Sequence, residues 1–456
     1  MNLLLTGATG LIGSLLVQKL LERGERVTVL TRDASRAGAT LPAKCRVMEW
    51  DPLAGPATLD LDEEYDAVVH LAGESVAGGR WSASFKNKIY QSRILSTRLL
   101  VEALKRAERK PSVFVCASAV GIYGNRGDET LAESSSLGSG FLAEVCREWE
   151  YEAAAVEALD IRRVSLRVGL VLDFEAPAFE KMSLPFKWAL GGSIGGGQQW
   201  MSWINLQDVV KLILHSIDHT ELQGAVNATS PNPVRNEEFS QMLGISCKRP
   251  VFLEIPGIAL RVLMGQSADL VLTSQRASAE KALASGFEFD YPDIRSALKE
   301  VCSRRRHGFV REQRVNRPIE EVFDFFSRAE NLERITPKEL NFKILRTSTP
   351  GIEKGTILDY RLSLHGIPFH WSSHIDQFNP PSGFSDEQMR GPYAYWRHEH
   401  EFEVDGDSTI VRDKVQYEMP LGLLGETFGL YFVRKDLDRI FAYRRSQIEA
   451  LLNAPS

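Results

Sequence analysis

The sequence predicts an α/β chain: a doubly wound parallel sheet with a small helical cap, followed by an α+β domain. Three observations predict it. Short apolar runs alternate with helical patterns from residue 1 to about 230. The pattern turns mostly helical from 235 to about 300. After a short basic stretch, Ser303-Arg304-Arg305-Arg306-His307-Gly308, alternating strand patterns lead into one long closing helix. Continuous apolar strands imply a parallel sheet covered on both faces, and a long helix after a strand run implies packing on an antiparallel sheet. The expected divisions are 1–234, 235–302 and 308–452.

Taken in order, residues 2–6 read as a strand and 11–23 as a helix stopped by Gly24. Residues 26–30 and 46–49 read as strands, 67–71 as a continuous apolar strand, 85–107 as a long helix and 112–117 as a strand. Helix is expected at 141–159 and strand at 162–168. The cap is expected to hold helices at 237–243, 256–263 and 277–284. The last domain is expected to open with helices at 318–327 and 330–340. Strands follow at 356–364, 370–378, 396–404 and 409–418, before a closing helix at 429–452.

The bulk numbers bound the function. At 456 residues, 43% hydrophobic and 25% charged, the chain has ample material for a core without staples. A net charge of −6 with no basic, aromatic-interleaved stripe argues against nucleic acid as a partner. Cys45, Cys116, Cys146, Cys247 and Cys302 are odd in number and widely spaced, which fits free thiols in a reducing compartment. The start lacks a basic leader region, and no run of about 18 apolar residues occurs, so neither a leader nor a membrane span is expected. The default location is the cytoplasm.

The first motif with chemistry is Gly7-Ala8-Thr9-Gly10-Leu11-Ile12-Gly13, set between an apolar strand and an amphipathic helix. That context makes it a dinucleotide loop on a Rossmann-type sheet: Gly7 for the turn, Gly10 for approach to the pyrophosphate, Gly13 for helix packing. Arg32 at the tip of the second strand, with Arg36 behind it, favours the 2′-phosphate of NADP(H), while Asp33 keeps NAD(H) open. Asp51 is a candidate for the adenine, or an ordinary loop aspartate. Leu71, Ala72 and Gly73 bring small residues to the carboxyl end of the fourth strand, where ligands bind in open α/β sheets.

These residues resemble the extended short-chain dehydrogenase/reductase superfamily. His70–Arg80 (HLAGESVAGGR), Phe141–Glu150 (FLAEVCREWE), Arg167–Asp173 (RVGLVLD), Gln199–Trp203 (QWMSW) and Asn227–Pro233 (NATSPNP) are similar to its epimerase-like family. Residues 249–298 resemble that family's C-terminal module, and 308–452 resemble the START-like or polyketide-cyclase-like (SRPBCC) helix-grip domains. The resemblance implies NADP(H) binding, with Arg167 beside the cofactor, chemistry on a small hydroxyl or carbonyl substrate, and an apolar ligand in the last domain. It also implies a serine after the fifth strand and a Tyr-x-x-x-Lys dyad on the next helix. Ser118 matches the serine, but Phe141 and Val145 stand where the dyad belongs. Phenylalanine exchanges no proton and valine carries no charge.

Tyr123 is therefore the substitute candidate for acid–base work, set against a packing role; Glu144 is a weaker one. The Tyr431/Lys435 pair has the dyad spacing but lies on the closing helix, where neighbours at that spacing are ordinary. Trp81, Arg93, Gln199, Trp200 and Trp203 are candidates for a substrate pocket or for core packing. His365, His370, His374, His398 and His400 raise the question of metal. No cysteine or H-E-x-x-H helix accompanies them, so no metal site is expected. The alternative to an enzyme is a cofactor-binding sensor or interaction protein without turnover.

Overall fold

In the computed structural model the chain forms two compact units, Met1–Cys302 and Ser303–Ser456. The structure describes all residues except 35–36, 39–40, 43, 53–58, 60, 62, 188–189, 248, 304–306, 420–429 and 453–456. Arg36 and the arginines at the expected boundary lie outside the described residues.

The first unit is built on a seven-stranded parallel sheet: β1 (Asn2–Thr6), β2 (Arg26–Thr31), β3 (Arg46–Glu49), β4 (Ala67–His70), β5 (Val113–Ala119), β6 (Arg162–Val168) and β7 (Gly224–Ala228). Their spatial order is β7-β6-β5-β4-β1-β2-β3. The chain winds outward from β1 to β3, then crosses back to β4 and winds the other way. The carboxyl ends of β1 and β4 thus flank the switch point, and the register pairs Thr6 with His70. All residues of β1 and β4 are buried, as strands covered on both faces require.

Helices α1 (Leu11–Glu22), α2 (Ala83–Arg106), α3 (Phe141–Ala154) and α4 (Leu206–Asp218) flank the sheet. One apolar layer joins Leu16, Val17 and Leu20 of α1 with Val209, Leu212 and Ile213 of α4. The opposite layer joins Leu100, Val101 and Leu104 of α2 with Phe114 and Val156. Residues 235–302 belong to this same unit. There α5 (Asn236–Cys247), α6 (Gly257–Met264) and α7 (Ile294–Ser303) are accompanied by short strands. Leu253–Ile255 pairs with Gly192–Ile194, and Arg276–Ala277 with Thr130–Leu131. The mostly helical cap is therefore stitched to the sheet domain by backbone pairing.

The second unit is a seven-stranded antiparallel sheet: β8 (His307–Val315), β9 (Lys343–Thr347), β10 (Ile357–Leu364), β11 (Ile367–Asn379), β12 (Gly383–Arg390), β13 (Tyr395–Asp405) and β14 (Ser408–Glu418). Short helices α8 (Ile319–Phe326) and α9 (Ala329–Arg334) bridge β8 to β9, and the long α10 (Leu430–Leu452) closes the chain. Phe323, Phe326, Phe384, Phe402 and Ile448 form its aromatic-rich core, and Leu437 and Phe441 of α10 pack on Val415 and Tyr417. This is a helix-grip fold.

Candidate functional site

The glycine loop has the close approaches its sequence implies. Gly7 has φ +73°, and a Cβ there would meet the Leu71 carbonyl carbon at 2.7 Å and the Ala72 nitrogen at 2.8 Å. A Cβ on Gly13 would lie 2.2 Å from the Gly7 carbonyl oxygen. The loop is thus pressed onto the end of β4, and α1 onto the loop. No side chain caps α1, whose N-cap is Gly10. Its first amides face the mouth of the sheet with the positive end of the helix dipole, a cradle suited to phosphate. Thr9 and Gly10 are exposed there, and Leu11 and Ile12 are partly buried.

A buried hydrogen-bond chain fixes the β4 end. The Ala72 N–H donates to Thr6 Oγ1 at 3.2 Å, and that hydroxyl lies 2.7 Å from His70 Nδ1. His70 Nε2 lies 2.9 Å from Thr97 Oγ1, which donates to the Arg93 carbonyl at 2.6 Å. Each hydroxyl has one proton, so His70 carries its proton on Nε2 and is neutral. Burial pushes its pKa down to about 3, with Arg93 adding to the effect. Arg93 donates to the Glu74 carbonyl at 2.9 Å, and its guanidinium would meet a Cβ on Gly73 at 3.0 Å. Arg32 is exposed at the tip of β2, and Asp51 is partly buried.

Ser118 is the penultimate residue of β5 and is 3% exposed. Its hydroxyl donates to Glu150 Oε1 of α3 at 2.6 Å. Arg167 of β6 binds the same carboxylate through Nε and Nη2, both at 2.9 Å, with the two side chains 6% and 13% exposed. Burial opposes the Arg167 charge, but the hydrogen bonds and charge of Glu150 outweigh it and hold the guanidinium protonated. Nη1 of Arg167 donates to the Tyr123 hydroxyl at 2.9 Å. That hydroxyl in turn lies 2.7 Å from Asn227 Oδ1 and 3.1 Å from the Ala132 carbonyl.

Tyr123 is fully buried. Burial raises its phenol above the ordinary value, and Arg167 offsets only part of that. An acid–base tyrosine needs the opposite shift and access to substrate. Phe141 and Val145 pack beside Trp81, Ile89, Ile94 and Trp149 in an apolar cluster, and the Trp81 and Phe141 rings meet edge-on at 5.2 Å. The dyad position is therefore filled by hydrophobic packing, and Glu144 is exposed.

The remaining pocket candidates divide. Trp203 is fully buried, packs with Phe179 and Phe239, and donates its indole N–H to the Asn232 carbonyl, because its strand runs through the core. Gln199 is 9% exposed and its amide donates to the carbonyls of Ile194 and Val271. Trp200 is partly exposed between the guanidiniums of Arg235 and Arg276, at 4.8 and 4.4 Å from its ring. Trp81 donates to the Val76 carbonyl at 2.9 Å.

Glu150 was missed by sequence reasoning. The signal was Arg167 itself: a cation set between Leu166 and Val168 on β6 demands a buried counter-charge. In the second unit a cavity of about 170 Å³ lies between sheet and α10. Its walls include Tyr360, Trp371, Tyr393 and Trp396, and its polar end holds Asp386, His398, His400 and Arg444. His365 pairs instead with Asp436 at 2.7 Å. The Tyr431 side chain lies outside the described residues, and Lys435 is exposed.

Residues 3–228 match the NAD dependent epimerase/dehydratase family, 255–301 a domain of unknown function (DUF1731), and 315–440 the polyketide cyclase/dehydrase and lipid transport family. An Arabidopsis thaliana chloroplastic homolog of epimerase family protein SDR39U1 is 38% identical over 310 residues, covering 66% of this chain and 86% of that one. Epimerase family protein YfhF of Bacillus subtilis is 34% identical, with 67% and 99% covered. The human epimerase family protein SDR39U1, crystallised with NADPH, superposes with a TM-score of 0.59 at 30% identity over 66% of this chain and 99% of that one. A UDP-glucuronic acid 4-epimerase from Bacillus cereus (TM-score 0.53, 17% identity, 66% of this chain and 99% of that one) shares the fold. No helix among the described residues is long and apolar enough to cross a membrane. The chain belongs to the epimerase family within the NAD-dependent epimerase/dehydratase proteins, and carries a polyketide cyclase/dehydrase-type domain at its C-terminal end.

Proposed function

We propose that the first unit binds NADP(H) and acts on a small hydroxyl- or carbonyl-bearing substrate, and that the second unit holds an apolar ligand. The observation that carries the cofactor reading is the cradle of Gly7, Gly10 and Gly13 beneath an α1 N-terminus that no side chain caps. Thr9, Leu11 and Ile12 would offer backbone amides to the pyrophosphate, Leu71, Ala72 and Gly73 would floor the site, and Arg32 would pair with the 2′-phosphate. Asp51 would reach the adenine. The NADPH in the human relative's crystal structure supports the choice over NAD(H). When bound, a nicotinamide supplies hydride transfer.

In this reading Ser118 and Glu150 work on the substrate oxygen. Because the Ser118 proton already points to Glu150, Oγ presents lone pairs, which accept a hydrogen bond from a substrate hydroxyl and do not polarise a carbonyl. Arg167 is a positioning residue that holds Glu150, and Tyr123 in turn positions Arg167. Trp81, Arg93 and Trp200 are the pocket candidates that remain partly exposed. The cavity of the second unit compares with a ~150 Å³ apolar cavity that takes up benzene, so a single ring or a short alkyl chain fits it.

The rival reading, a cofactor-binding module without turnover, is favoured by the apolar packing of Phe141 and Val145. Hydride exchange between labelled NADPH and a panel of alcohols and carbonyls separates the two. Turnover that Ser118→Ala and Glu150→Gln both abolish, with NADPH affinity retained, supports the enzyme. Tight NADPH binding without exchange supports the silent module, and no binding to either dinucleotide ends both.

A further inference from the structure

The cross-strand register of the second unit gathers ionisable side chains that no charge balance on the surface requires. His398 and His400 alternate on β13 and so share its inner face. The register sets Asp386 of β12 opposite His398, and Asp413 of β14 opposite His400. His398 and His400 are 7% and 5% exposed, and Asp413 is 6% exposed. One donor atom each from Asp386, His398 and His400 lies within 4.8 Å of the others.

We propose that Asp386, His398 and His400 bind a divalent transition-metal ion, of the zinc or iron(II) class, at the polar end of the cavity. Two imidazoles and one carboxylate are a donor set both metals accept, and three protein ligands leave coordination positions open to the cavity.

The surrounding groups fit that role. His398 Nε2 lies 2.9 Å from Asp413 Oδ1, which accepts its hydrogen bond and leaves Nδ1 facing Asp386 at 3.9 Å. A carboxylate behind a ligating histidine, fixing its tautomer and orientation, is the usual outer support of a metal site. His400 Nδ1 lies 2.8 Å from the same oxygen but off the hydrogen-bonding direction, so this buried nitrogen has no hydrogen bond. Arg444, whose Nη2 lies 3.9 Å from Asp413 and whose guanidinium stacks on Phe326 and Phe441, compensates the charge of Asp413.

That leaves Asp386, which accepts a hydrogen bond from Ser373 at 3.0 Å. Among the described residues, no hydrogen bond links Asp386, His398 and His400 to one another. The three groups converge without holding each other, and coordination at about 2.0–2.2 Å needs each side chain to move by on the order of an ångström.

The site rests on strand register and not on the occupant of the cavity, so failure to find an apolar ligand leaves it standing. The test is a titration of the chelator-stripped full chain with Co²⁺, read by its visible d–d absorption, and with Zn²⁺, read by calorimetry. One ion per chain is expected. Asp386→Asn, His398→Ala and His400→Gln should each weaken binding at least about tenfold, and Asp413→Asn about 10- to 100-fold. His370→Ala and His374→Ala should leave it unchanged. Far-UV circular dichroism identifies variants that fold, and any one folded ligand variant suffices for the comparison. Absence of stoichiometric binding, or binding unaltered in His398→Ala with His400→Gln, overturns the proposal.

Discussion

Ser118 donates a hydrogen bond to Glu150 at 2.6 Å, so the serine near the end of β5 is tied to a carboxylate of α3. Arg167 clamps both oxygens of that carboxylate. Removing the carboxylate strands a buried cation, and breaking a buried pair costs about 3–5 kcal/mol. Glu150→Gln should therefore lower stability by roughly 3 kcal/mol in urea denaturation, and Ser118→Ala by about 1 kcal/mol, the worth of one hydrogen bond. Equal losses for the two variants would mean that the pair contributes nothing beyond a neutral contact.

The packing of α1 onto the loop gives a second prediction. A methyl group on Gly13 would lie 2.2 Å from the Gly7 carbonyl oxygen, and both atoms are backbone-fixed. Gly13→Ala must push the helix off the loop, at a cost of about 1–3 kcal/mol. Calorimetry should show NADPH binding weakened at least about tenfold, which corresponds to roughly 1.4 kcal/mol. Unchanged affinity would show that the phosphate is held elsewhere.

How much of this was legible before the structure follows from where each signal lives. The glycine loop and β1, β4 and β5 could be read because their chemistry is local: apolar runs next to glycines. The Ser118–Glu150–Arg167 group could not, because its members are 32 and 17 positions apart and meet only when β5, β6 and α3 pack. In the second unit β12 was passed over. Its sequence GFSDEQMR has no hydrophobic alternation, since Asp386 points inward where an apolar residue is the rule. Losing that strand hid the carboxylate that faces His398. β7 (GAVNA) was missed for a related reason: it is short, and carries a glycine and Asn227, whose side chain bonds Tyr123.

Cofactor choice is predicted to rest on Arg32. A guanidinium at the tip of β2 meets a 2′-phosphate with paired, charge-assisted hydrogen bonds, and a ribose hydroxyl offers it far less. Arg32→Ala should weaken NADPH about 10- to 100-fold in calorimetry and leave NADH within about twofold. Raising the salt should narrow the wild-type difference, because the residue is exposed and screened. A variant that keeps the NADPH preference would move the discriminating charge to another residue.

Acid should destabilise the first unit through His70. In the folded chain this imidazole stays neutral until a pH of about 3, whereas its unperturbed value is 6.5. Between those limits the unfolded chain binds the additional proton, so stability rises with pH across the window and is lost as pH falls from 6.5 towards 3. The slope reaches about 1.4 kcal/mol per pH unit for one proton. The proton has no place in the fold: Nδ1 accepts from Thr6, Nε2 already donates to Thr97, and a charged ring would break the chain that holds Ala72. His70→Gln should be less stable than wild type at about pH 7, where the histidine's hydrogen bonds are intact. Its stability should fall less steeply between about pH 6 and pH 4, because glutamine does not titrate. Urea denaturation of the two chains across that range measures both effects. Parallel pH profiles would place the acid sensitivity of this unit elsewhere and refute the neutral-histidine assignment.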